Sequence, residues 1–92
     1  MPAFPYALRL EQNCPNPFNP STEIRFQIRD FGLVTLTVYD VLGREVATLM
    51  NEEKSGGTYT LHWDASGVSG GVYFYRLRAG DFVQTRRMMI VK

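Results

Sequence analysis

The chain has 92 residues, of which ten are Lys or Arg and nine Asp or Glu; 45% are hydrophobic and 13% aromatic. One domain fits this length, and the apolar content fills a core without disulfide staples. The near-balance of charge argues against a nucleic-acid surface, and the single cysteine excludes an intrachain disulfide.

No apolar run reaches the roughly 18 residues of a transmembrane helix, and no apolar stretch of a secretory leader follows Met1. The chain therefore reads as a fragment of a longer protein. Residues 1–12 mix aromatic, proline and polar types, and the alternation of Leu8 and Leu10 predicts a linker that becomes a short edge strand near 7–11. Residues 13–20, NCPNPFNP, are dense in turn chemistry. Pro15, Pro17 and Pro20 fix their own φ and push the preceding residue towards extended geometry. Asn13, Asn16 and Asn19 have side chains suited to Asx turns. A stiff path needing few tertiary contacts is expected, with Phe18 as its one large apolar plug into a core.

Strict alternation follows. In residues 22–29 (TEIRFQIR) Ile24, Phe26 and Ile28 share one face, which is the period of a half-buried strand. Residues 33–39 (LVTLTVY) predict a second strand with Val34, Leu36 and Val38 on one side. A turn at 40–43 follows, where Gly43 is free to take positive φ. Residues 44–49 predict a third strand carrying Val46 and Leu49, and 51–57 (NEEKSGG) a solvated polar loop. Residues 58–63 alternate Tyr59, Leu61 and Trp63 against polar partners, and 64–71 form a glycine-rich connection. Residues 72–79 predict a strand with aromatics on both faces. A tight hairpin at 79–81 leads into the last strand, 82–91. With no helical period anywhere, the expectation is an all-β, antiparallel immunoglobulin-like β-sandwich of about seven strands, residues 13–92 forming the sandwich and 1–12 the linker and short first strand.

Catalytic chemistry finds little support. His62 and Cys14 are each the only one of their type; a nucleophilic pair needs them in contact with a third group orienting the base, yet they fall in a turn and on the polar face of a strand. The ligand set of a structural zinc site is missing, Asp64 with Ser66 and Gly67 lacks the acidic alternation of a calcium loop, and no phosphate-binding loop or nucleophile elbow occurs. No cofactor, metal or small-molecule substrate is expected. Tyr73 and Tyr75, on one side of a strand, would form a sugar-stacking platform if they faced solvent; the favoured reading turns them inward with Leu77 and Trp63, as buried aromatics dominate such cores. These residues point to a non-enzymatic β-sandwich with a stiff entry segment.

Several segments together carry a resemblance: PNPFNPST at 15–22, followed by Ile24, Arg25 and Phe26; YDVLGREV at 39–46; WDASG at 63–67; and GGVYFYRL at 70–77, with Gly71, Tyr73 and Tyr75. In order and spacing, residues 8–92 resemble the type A C-terminal sorting domain of the type IX secretion system, a family similar in fold to the immunoglobulin-like domain of the flagellar hook-capping protein. Cys14 departs from the family, which commonly has an aromatic there. The resemblance implies a non-catalytic module on an upstream cargo. It would be exported through the periplasm, recognised by an outer-membrane translocon, and in many members cut off by a sortase-like cysteine protease that joins the cargo to surface lipopolysaccharide. A carbohydrate-binding or structural assembly module is the competing expectation. Under the sorting reading the last strand carries the recognition information. Arg86, Arg87 and Lys92 would supply orienting charge, Met88 or Met89 with Ile90 would hold the strand to the core, and Val91 would complete the segment.

Overall fold

The computed structural model describes residues 7–92. Seven strands, all paired antiparallel, form two sheets: β1 (Arg9–Leu10), β2 (Ser21–Ile28) and β5 (Gly57–Asp64) in one, and β4 (Glu45–Lys54), β3 (Gly32–Tyr39), β6 (Gly71–Ala79) and β7 (Phe82–Ile90) in the other, in those spatial orders. No helix occurs among the described residues. The alternating residues dictate this arrangement. Ile24, Phe26 and Ile28 from β2 and Trp63 from β5 meet Val34, Leu36 and Val38 from β3, Tyr75 and Leu77 from β6, and Met88 and Ile90 from β7 in one core. Because side chains alternate along a strand, a one-residue slip would turn each of these sets to solvent, so burial fixes the register. Of the linker and short first strand expected over 1–12, residues 1–6 lie outside the described residues; the short strand expected near 7–11 is β1.

One boundary differs from the sequence expectation. The polar stretch taken as a loop at 51–57 is strand for most of its length: β4 runs on through Lys54, opposite Gly32, and Gly57 opens β5. Two register irregularities, at Leu36/Thr37 and Val38/Tyr39, bend the pair. An edge strand is held by its backbone ladder and does not need apolar side chains. Here Glu52 and Lys54 pair with each other at 2.6 Å, and the Lys54 ammonium lies 5.4 Å from the centre of the Tyr59 ring. The corner is tight, since a Cβ on Gly56 would stand 2.6 Å from the Arg29 carbonyl oxygen.

Two motifs prove to be turn chemistry, one in the β3–β4 hairpin and one where the chain leaves β5 to cross to β6 in the other sheet. In YDVLGREV the Asp40 carboxylate accepts from the Leu42 and Arg44 N–H groups and from Arg44 Nε, while Gly43 takes φ +81°. In WDASG the Asp64 carboxylate accepts from the Ser66 N–H and hydroxyl, and the buried Ala65 N–H donates to the Pro20 carbonyl. Both carboxyls are held below the usual range, Asp40 chiefly by the Arg44 N–H and Asp64 chiefly by the Ser66 hydroxyl.

Candidate functional site

The asparagine–proline segment is not the weakly attached path that its turn chemistry predicts. It is bonded across the molecule. Tyr75, on the central strand β6, donates its hydroxyl to the Glu11 carbonyl (2.7 Å) and accepts the Asn13 N–H (2.8 Å). Burial pushes this phenol up to about 12, against the opposing pull of the Asn13 N–H. The Asn13 side chain donates to the Thr22 hydroxyl (3.0 Å) and to the Pro15 carbonyl (3.1 Å), and Thr22 donates to that same carbonyl (2.9 Å). Thr22 is a site residue that the motifs alone do not single out. It shares parity with Ile24, so a hydroxyl at a core position was the available signal.

Further along, the segment reaches β7. Asn16 Oδ1 accepts the Met89 N–H (3.0 Å). Phe18 donates its N–H to the Met89 carbonyl (3.1 Å) and accepts from Val91 (2.9 Å), making a parallel bridge with Ile90. Phe18 is buried, its ring 6.0 Å from that of Trp63. Pro15, Pro17, Asn19 and Pro20 stay exposed. The X–Pro bonds at Pro15, Pro17 and Pro20 are cis.

These bonds define what β7 leaves open. It is an edge strand, and the N–H and C=O of Met89 point away from β6. Alternation sends those of Val83, Thr85 and Arg87 the same way. The Arg87 carbonyl is taken by the Gln12 side chain (2.7 Å), so the edge is bonded from Arg87 onward and, among the described residues, open over 83–85. Side chains divide likewise. Met88 and Ile90 are buried, whereas Met89 is 42% and Val91 48% exposed. Of the three cations expected to orient a partner, two are committed to the fold. Arg86 Nε donates to the Leu10 carbonyl (2.6 Å), and Lys92 Nζ donates to the carbonyls of Ala65 and Ser66 (3.1 Å each). Arg87 alone of the three projects from the strand without a side-chain partner among the described residues.

The residues weighed for other chemistry are not assembled. Cys14 and His62 both flank Glu23, in register on either side of it. Their backbones are thus about 10 Å apart, two strand spacings, with the carboxylate between them and no histidine beside the thiol. Tyr73 and Tyr75 are buried, and the Tyr73 hydroxyl donates to the Ser69 carbonyl four residues upstream (2.7 Å). That is the corner geometry of immunoglobulin-like sandwiches, and it leaves neither ring as a sugar platform. Gly71 opens β6 beside them.

The family model of the secretion system C-terminal sorting domain matches residues 14–92. The chain belongs to this family. It is thus a C-terminal sorting signal of type IX secretion, a domain that sits on a cargo protein and is recognised by the type IX machinery. Sorting domains of this family are in general non-catalytic. No curated protein and no solved structure matches the chain. Within the sorting domain, the Asn–Pro segment is the clamp that fixes the edge of β7.

Proposed function

We propose that this sorting domain is itself without catalytic activity, and that it takes an upstream cargo from the periplasm through the outer-membrane translocon by presenting the outer side of β7. Arg87, Met89 and Val91 make the contact, while Met88, Ile90, Arg86 and Lys92 hold the strand in place. Residues 1–12 are the linker, with the short first strand at its end. A sortase-like cysteine protease cuts in the linker after passage, leaving the cargo at the cell surface. The observation that carries the proposal is the family match over residues 14–92. The exposure of Met89 and Val91 on an edge strand supports the choice of surface.

The test is a passenger behind a signal peptide, fused upstream of this chain in a host with the type IX machinery. The intact fusion is expected outside the cell, and a fusion lacking 87–92 in the periplasm. Truncation also removes Ile90 from the core, so a second variant, Arg87→Ala with Met89→Ala, separates recognition from folding. It is expected to weaken export while the melting temperature stays within a few degrees, as for most surface changes. Normal delivery of the truncated fusion overturns the reading.

A further inference from the structure

The outer face of the four-stranded sheet carries a charge distribution that the near-neutral composition conceals. Register sets its rows. Asn51, Thr35, Arg78 and Val83 lie across the sheet in one; Thr48, Thr37, Arg76 and Thr85 in the next; Glu45, Tyr39, Phe74 and Arg87 in the third. The guanidiniums stand on β6 and β7, and the only carboxylate in these rows is at the β4 border, where Glu45 accepts from the Thr48 hydroxyl. Arg76 lies 4.7 Å from the centre of the Tyr39 ring. Among the described residues Arg76, Arg78 and Arg87 form no ion pair. A shallow trough of about 430 Å³ runs between β4 and β6, lined by threonine hydroxyls, Tyr39, Asn51, the guanidiniums of Arg76 and Arg78 and, at its β4 border, the Glu45 carboxylate.

We infer that this face docks an extended, acidic segment of a partner protein, whose alternate carboxylates meet Arg78, Arg76 and Arg87 in turn. The inference rests on the sorting reading and names the chemistry of what recognises the domain. Charge complementarity gives the sign of the partner, and spacing gives its shape. Arg76 and Arg78 are two residues apart on one strand, about 6.6 Å, which is also the repeat of same-side carboxylates on an extended chain. Arg87 lies one row further on, across to β7. A compact phosphate is a poorer fit. It needs donors converging on one point, and the backbone N–H groups of the inner strands here are used in the ladder, so it would meet one guanidinium at a time. The threonines and Asn51 bond peptide groups between the charges, and the exposed Val83 at the border takes an apolar neighbour.

Isotope-labelled chain titrated with a short synthetic peptide of alternating Glu and Thr tests this by amide chemical-shift mapping. Shifts confined to the rows around Arg76 and Arg78, weakening as salt is raised, are expected. Arg76→Gln with Arg78→Gln and Arg87→Gln is expected to weaken binding about tenfold, the product of three exposed charge pairs each worth a few-fold. Because Arg76 rests on Tyr39, the single change Arg78→Gln serves as the variant certain to leave packing intact, with a few-fold loss. An alternating Lys and Thr peptide is expected to leave the spectrum unchanged. Shifts elsewhere, equal binding of a peptide with its glutamates in one block, or tighter binding of inorganic phosphate or single-stranded DNA at the same rows overturns the inference. In the export assay, normal delivery of the Arg76→Gln, Arg78→Gln fusion alongside retention of the truncated one overturns the docking face and leaves the sorting reading standing.

Discussion

Tyr75 joins two parts of the chain that are more than sixty residues apart in sequence. Its ring is in the core, and its hydroxyl is used twice, once as donor and once as acceptor. Changing it to Phe keeps the packing but leaves the Glu11 carbonyl and the buried Asn13 N–H without their partner, a loss of about 1–3 kcal/mol for unsatisfied groups of this kind. Its titration adds a pH signature. The folded-state value is raised above the ordinary 10.0 to about 12. The contribution is therefore fully present below pH 10 and lost as pH rises through the folded value. Ultraviolet titration of the chain is expected to show a late phenol ionising at about pH 12, with unfolding over the same range. The late phenol is expected to disappear in Tyr75→Phe; its persistence there would assign it elsewhere. None of this was legible at the level of residue types. The inward parity of Tyr75 follows from alternation, but its hydroxyl partners come from a segment whose path no local pattern specifies.

At the scale of elements, β2, β3, β5, β6 and β7 were readable because each buries one side, and a period of two then appears directly in the sequence. The continuation of β4 through Lys54 was hidden for the opposite reason: Asn51, Glu52 and Glu53 bury nothing, and a backbone ladder leaves no mark on composition. The stiffness of the Asn–Pro segment is legible in its prolines, but its attachment is not, because the Asx chemistry expected to act locally is partly spent at long range, as Asn16 shows by accepting from Met89. Phe18 anchors the segment as expected. Phe18→Ala is expected to cost about 3–5 kcal/mol, the range for a buried phenylalanine, measured by denaturant melts. A loss under about 1 kcal/mol would mean that the strap adheres through its backbone bonds alone. The division of β7 into a bonded and an open part follows from Gln12 and the same strap, whereas Arg86 is separated from Arg87, its equivalent neighbour in the sequence, by the Leu10 carbonyl on β1.

Across the whole molecule, one core is shared by both sheets and the strap, so the domain is expected to unfold as a unit. Trp63 reports this, since it is 9% exposed and packed against Phe18. Its emission is expected to be blue-shifted in the native state and to move red at the same denaturant concentration at which far-ultraviolet circular dichroism is lost. A fluorescence transition ahead of the dichroism would show the strap opening by itself. The sorting function and the family are legible from the motif order, while the surface proposed for recognition is not, because exposure within residues 86–92 is decided by partners on β1, on the strap and in the loop after β5. The position of the strap also has a mechanical consequence. On the proposed reading, a cargo would pull on this domain from the side of β1 while a receptor held β7. The force would then pass from Leu10 through Arg86 and from Phe18 into Met89 and Val91, with Tyr75 tying Glu11 and Asn13 to the neighbouring strand β6. These contacts would join the loaded end to the gripped strand and its neighbour. The tension would bypass most of β2–β5, and the sandwich would be towed without being stretched.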